Sequence, residues 1–159
     1  MTELLEALYN GQQERVDELL AQDPELSVFE AAAFGRDERL RQLLDEDPGR
    51  ADAYGEDGFQ PLGLACFFGH VDAARMLVAA GADPNTLARN EHVQTSALHA
   101  AAASEHKTPE QRYELCELLL DNGADPNLPQ AGGFRAIDAA RHHGDEQLEA
   151  LLLDRGAEG

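Results

Sequence analysis

Tryptophan is missing from this chain, tyrosine occurs 3 times and phenylalanine 6 times, so that aromatics make up 6% of the residues. With Leu and Ala dominant instead, this scarcity favours a helical protein over a β-sandwich. Basic residues are scarce too: 12 Lys and Arg stand against 31 Asp and Glu, for a formal charge of −19. That acidity repels phosphate backbones and anionic membranes, which argues against nucleic acid or membrane as partner and for a basic or neutral protein. The same charge also serves simply to solvate helix exteriors. Cys66 and Cys116 are the 2 cysteines. Both fall inside apolar helical patterns and read as packed, reduced thiols, not as a disulfide or metal pair. No apolar run approaches the ~18 residues of a membrane span. The opening MTELLEALYN is acidic where a secretion signal needs base. A soluble, cytoplasmic protein is expected.

What is present is repetition. A small residue four positions before a glycine recurs as Ala7 with Gly11, Ala31 with Gly35, Ala65 with Gly69 and Ala140 with Gly144. An apolar pair follows each time: Leu19-Leu20, Leu43-Leu44, Leu77-Val78 and Leu152-Leu153. Ala101 opens a further copy that reaches Leu119-Leu120 and Gly123 after six extra residues. In the third copy Leu62, Ala65 and Cys66 share one helical face, and Val71, Ala74, Leu77 and Val78 share another. Each copy therefore reads as helix, glycine turn, helix. Gly81, Gly123 and Gly156 suit left-handed helix ends, and the Asp-Pro-Asn that follows Gly81 and Gly123 is turn chemistry. No helix pair of this size can bury its apolar face alone, so the pairs must stack into a row.

The stretches GHVDAARMLVAAGADPN (Gly69 to Asn85), TSALHAAAA (Thr95 to Ala103) and LCELLLDNGADPN (Leu115 to Asn127) resemble the ankyrin repeat. The resemblance implies an all-α, single-domain solenoid of 1–159, with about five helix-turn-helix repeats at roughly 1–24, 25–55, 56–87, 88–129 and 130–159 and short β-hairpin fingers. The short first step leaves room for only three fingers, near 50–60, 83–95 and 125–135. The family's Thr-Pro helix start survives as Gln60-Pro61 and becomes Ser96-Ala97 and Arg135-Ala136. Ser96 is a good N-cap, whereas Gln60 and Arg135 are poor ones. The family's histidine is kept at His99, whose ring is expected to hydrogen-bond the finger backbone. His70, just after its turn glycine, is expected to contact the neighbouring unit.

The fourth unit carries two insertions, around Arg89 to His92 in its finger and from Ser104 to Pro109 between its helices. The second ends in Thr108, Pro109 and Gln111, a capping box that restarts a helix. Loops that vary on a constant frame are frequent binding sites, although neutral length drift explains them equally. Gln13, Glu14, Arg15, Glu146 and Glu149 make the outer units polar, as ends without neighbours require. The expectation is a complete monomeric array.

Nothing in the pattern supports catalysis, so no catalytic, cofactor-binding or metal-binding residue is assigned. No histidine pair has metal-motif spacing, neither cysteine belongs to a Cys-x-x-Cys, and no glycine-rich phosphate loop occurs. His142 and His143 are adjacent on a helix and diverge by about 100°. In the ankyrin family, partners lie against the fingers and the ends of the first helices. Carried onto this chain, that implies Tyr9, Phe34, Phe67, Phe68, Ser104, His142 and His143 at the helix ends, with Phe59, His92 and Phe134 on the fingers. Five of the six phenylalanines thus fall on contact positions. Phe34 and Phe68 are equivalent and can instead pack between units, while Phe59 and Phe67 are expected to be exposed. The function implied is a non-enzymatic protein-binding scaffold; the alternative is an inhibitor or immunity-type protein that neutralises a basic partner.

Overall fold

The structure, a computed structural model, describes residues 1–159. Its ten α-helices come as five consecutive pairs. They are α1 (Glu3–Tyr9) with α2 (Gln13–Leu20), α3 (Val28–Ala33) with α4 (Asp37–Glu46), and α5 (Pro61–Phe67) with α6 (Val71–Ala79). The last two are α7 (Ala97–Ala103) with α8 (Pro109–Asp121), and α9 (Ala136–His143) with α10 (Glu146–Asp154). The first helices α3, α5, α7 and α9 pack side by side in one row, and α4, α6, α8 and α10 form a second. This is an all-α ankyrin-type solenoid.

Local chemistry sets the helix starts. Ser27 and Glu30 form a capping box on α3, and Thr108 and Gln111 form one on α8. Ser96 caps α7 by accepting from the His99 amide at 3.1 Å. Gln60 and Arg135 make no side-chain cap, as their chemistry foretold. Pro61, which has no amide to satisfy, opens α5. At α9 the Asp138 carboxylate accepts from the Arg135 amide at 2.8 Å. After α2, the position that Gly81 fills elsewhere belongs to Asp23, held at φ 49°. An aspartate tolerates that left-handed conformation at some cost where glycine pays none.

One core of 31 buried residues runs from Val28 to Ala157. Its first-helix row is built of small side chains, with Ala31, Ala65, Ala101 and Ala140 fully buried. The leucines fill the space behind them: Leu40, Leu77, Leu115, Leu119, Leu148 and Leu152 are inaccessible or nearly so. Cys66 and Cys116 are free and buried in this core. Burial pushes the Cys66 thiol up to about 12 and the Cys116 thiol upward as well. Both are inert neutral side chains.

Three features clasp the units together. The first recurs at equivalent carbonyls near the ends of α3, α5 and α7. Ala33 is bonded by His70 Nε2 at 2.9 Å, Phe67 by Ser104 Oγ at 2.6 Å, and Ala103 by His143 Nε2 at 3.3 Å. Each side chain comes from the following unit. The second uses the asparagine of the Asp-Pro-Asn turn. Asn85 donates to the Gly123 carbonyl at 2.8 Å and accepts from the Asp125 amide at 2.7 Å. Asn127 repeats this on Gly156 and Glu158 at 2.9 and 2.8 Å. Asp52 supplies only the acceptor half, to the Asp83 amide at 3.0 Å.

The third is the fingers, and here the expected β-hairpins are only partly realised. A single antiparallel bridge, Leu87 to Ser96, is the sole β-pairing. The other loops close on themselves through Gly55 N–H to the Phe59 carbonyl at 2.9 Å and Gln130 N–H to the Phe134 carbonyl at 2.8 Å. Gly58 N–H to Gly55 and Gly133 N–H to Gln130 tighten the same loops, and Arg89 N–H to Gly58 and Ala131 N–H to Gln94, at 2.8 and 3.1 Å, run between fingers. A Cβ at Gly58, where φ is 81°, would lie 2.5 Å from the Arg89 carbonyl carbon, so the approach needs glycine. His99 also departs from expectation. Its Nδ1 meets the Thr95 hydroxyl at 3.3 Å, a finger side chain and not finger backbone.

Candidate functional site

The finger side of the third and fourth units holds a groove of about 590 Å³. Its floor is α5 (Leu62, Gly63, Leu64, Phe67) with Phe68 just after it, flanked by Ala97 and Ala100 of α7. One wall is the second finger, with Ala88, Asn90, His92, Val93 and Thr95. The opposite end is closed by the start of the chain, through Leu8, Tyr9 and Gly11. Helix α1 therefore reaches past its immediate neighbour to touch the third unit. The Tyr9 ring lies 6.2 Å from Phe59, edge-on, and 6.4 Å from Phe68, nearly parallel. Leu5 joins Ala33, Leu64 and Phe68 in a small buried cluster. The Tyr9 hydroxyl donates to Asp57 at 2.8 Å, and the terminal amine of Met1 pairs with Glu56. Burial, then the Asp57 carboxylate, pushes the Tyr9 phenol well above its usual range, so it stays a protonated donor.

At the other end, the inserted loop folds back over the helix. Phe67 stands edge-on to Phe68 at 5.0 Å, and the His106 ring lies 5.2 Å from Phe67 and 4.9 Å from Phe68. Two hydrogen bonds hold the loop. Ser104 Oγ binds Phe67 as described, and the Ser104 carbonyl accepts from the Arg112 guanidinium at 3.0 Å. The Arg112 side chain and Asp145 form a largely buried ion pair at 3.5 Å.

The ten residues expected to meet a partner divide clearly. Tyr9, Phe59, Phe67, Phe68 and His92 line this one groove. Phe67 is 44% exposed and Tyr9 36%, whereas Phe68 is 7% and forms floor. Phe59, expected to be exposed, is half-buried, because Tyr9 covers its ring. Phe34 is half-buried and packs beneath the groove, against the clusters of the first units and of Leu64 and Phe68, without lining it. Ser104 is a correction: it is wholly inaccessible, and its hydroxyl is spent on the Phe67 carbonyl. His143 is half-buried with its ring on Ala103, while His142 and Phe134 are exposed but stand apart from the groove. His106 and Val93 are lining residues that repeat spacing does not single out. Both lie in or beside the two insertions, which were the available signal.

The groove's chemistry suits binding. Its lining holds a single carboxylate, Asp83, and no Lys or Arg. No group of three or more His, Cys, Asp or Glu side chains is placed to hold a metal ion. No helix is long and apolar enough to cross a membrane.

Comparison with known proteins agrees with the architecture. The family described as ankyrin repeats (3 copies) matches residues 3–88 and 28–130. The B-cell lymphoma 3 protein homolog of Mus musculus is 36% identical over 98 residues, covering 62% of this chain and 21% of that protein. Ankyrin repeat and SOCS box protein 16, also of Mus musculus, is 36% identical over 96 residues, covering 56% of this chain and 19% of that one. The chain thus spans about a fifth of the length of these curated relatives.

Proposed function

Because the chain belongs to the ankyrin-repeat family, whose members generally mediate protein–protein interaction, we propose that it is a non-enzymatic binding scaffold that seats part of another protein in the groove over α5. The observation that carries this reading is the exposure of Phe67 on a floor of Phe68 and Leu64. An aromatic ring left 44% accessible beside a concavity is the kind of group that anchors a partner once desolvated. The partner is a basic or neutral protein, since a net charge of −19 repels acidic ones. The compartment is reducing and cytoplasmic, where two buried thiols stay free.

The test uses protein captured on the purified chain and on its Phe67→Ser variant. Phe67→Ser is expected to keep its melting temperature to within a few degrees, because the ring is largely outside the core. A specific partner should then be retained by the wild type, lost by the variant, and rebind when purified. A partner that binds both proteins equally would overturn the assignment of the groove.

A further inference from the structure

The groove over α5 differs from an open trough in being flanked by the start of the chain at one end and by the inserted loop at the other. Tyr9 and Leu8 of α1 and His106 of the inserted loop close over Phe59, Phe67 and Phe68. The result is a half-enclosed apolar pocket of a size suited to one or two large side chains. Along the second finger it continues into a polar depression lined by Tyr54, Glu56, Asp57, Arg89, Asn90 and Glu91, among others. Asn90 and His92 belong to both. The charges in this second depression are unequal. Arg89, its only cation, is folded onto the Tyr54 ring with its guanidinium carbon 3.8 Å from the centroid. Glu56 takes the terminal amine of Met1, and Asp57 takes the Tyr9 hydroxyl. Glu91 is exposed and enters none of the chain's ion pairs. An apolar pocket without a cation therefore borders an acidic shelf with one free carboxylate.

We infer that the site takes an extended segment of a partner protein in which a large apolar residue is followed or preceded within a few positions by Lys or Arg. The apolar side chain enters between Tyr9, Phe67 and His106, and the cation reaches Glu91 on the shelf. Charge complementarity selects this occupant. A segment with Asp or Glu beside its anchor meets Glu91, Asp57 and Asp83 and is rejected. A purely apolar segment leaves the shelf unused. This inference deepens the proposed binding role and rests on it.

Selection of a random peptide library on the purified full chain tests it, followed by affinity measurement on synthetic copies of the winners. The expected consensus pairs Trp, Phe or Leu with a nearby Lys or Arg. Phe67→Ser should weaken those peptides by about tenfold or more. Glu91→Gln should weaken them by about two- to fivefold and reduce the loss of affinity on adding salt. Winners that lose binding with Phe67→Ser yet carry no basic residue would overturn the inference and leave the groove's binding role standing. Winners indifferent to Phe67→Ser would overturn both. Unchanged salt dependence in Glu91→Gln would also refute the placement of the cation, and Arg89→Ala, expected to bind at least as well as wild type, controls for disturbance of the finger.

Discussion

Replacing Ser104 by alanine removes one hydroxyl at a point with no access to solvent. In the native protein that hydroxyl donates to the Phe67 carbonyl at 2.6 Å. Phe67 ends α5, and its carbonyl has no backbone partner. The gap left by one hydroxyl is too small to admit a water in its place. The variant therefore carries a buried carbonyl without a donor, which costs about 1–3 kcal/mol. Ser104 follows α7 with ψ 126°, outside helical geometry, so alanine recovers nothing through helix propensity. For a chain of this length the melting temperature should fall by about 2–4 °C per kcal/mol. Urea unfolding followed by far-UV circular dichroism measures the loss, with an unchanged slope showing that both proteins unfold as one unit. His143→Ala is the internal comparison. Its bond to the equivalent Ala103 carbonyl is longer, at 3.3 Å, and its ring is half-buried, so water can replace it. The ordering must be Ser104→Ala worse than His143→Ala. Equal stability of Ser104→Ala and wild type would refute the reading of this carbonyl as a joint between units.

Other outcomes follow from the same contacts. Asp52→Asn should stabilise the protein by about 0.5–1.5 kcal/mol, because an amide can both accept from Asp83 and donate to the facing carbonyl, as Asn85 and Asn127 do; a lower urea midpoint would contradict this. Burial holds the His70 and His99 imidazoles below their ordinary 6.5. The folded protein then binds fewer protons than the unfolded chain once pH drops past about 6.5, so their contribution is complete above that pH and is lost as pH falls further. His70→Gln can still donate to Ala33 and should flatten that decline between pH 7 and 5; parallel pH profiles would argue against it. With a charge of −19 and mostly exposed ion pairs, moderate salt should raise the melting temperature, since repulsion is screened over about 8–10 Å. A melting temperature indifferent to ionic strength would mean the charges are already compensated.

The repeat, its helices and some of their caps were legible in the order of residues. Ser96 and Thr108 cap where their hydroxyls stand next to a helix start, and Gln60 and Arg135 fail to. These depend on neighbours in the chain, and a stripe such as Leu62, Ala65 and Cys66 reports a helix face directly. The three fingers were located but not their bonding, because part of it, from Arg89 to Gly58 and from Ala131 to Gln94, passes from finger to finger and needs the stacked units in place. Side-chain fates in the groove were legible by position only. Phe67 and Phe68 are adjacent, yet one is exposed and the other forms floor, and Tyr9 covers Phe59 from a helix two units earlier.

Local periodicity and turn chemistry alone determine that this chain forms helix pairs and that the pairs must stack, since an unpaired apolar face cannot remain in water. Only the tertiary structure decides that α1 reaches over to the third unit, that Ser104 is sealed and that His106 meets the phenylalanines. Those contacts join residues dozens of positions apart, and their geometry depends on how the units pack, a quantity that no short stretch of sequence encodes.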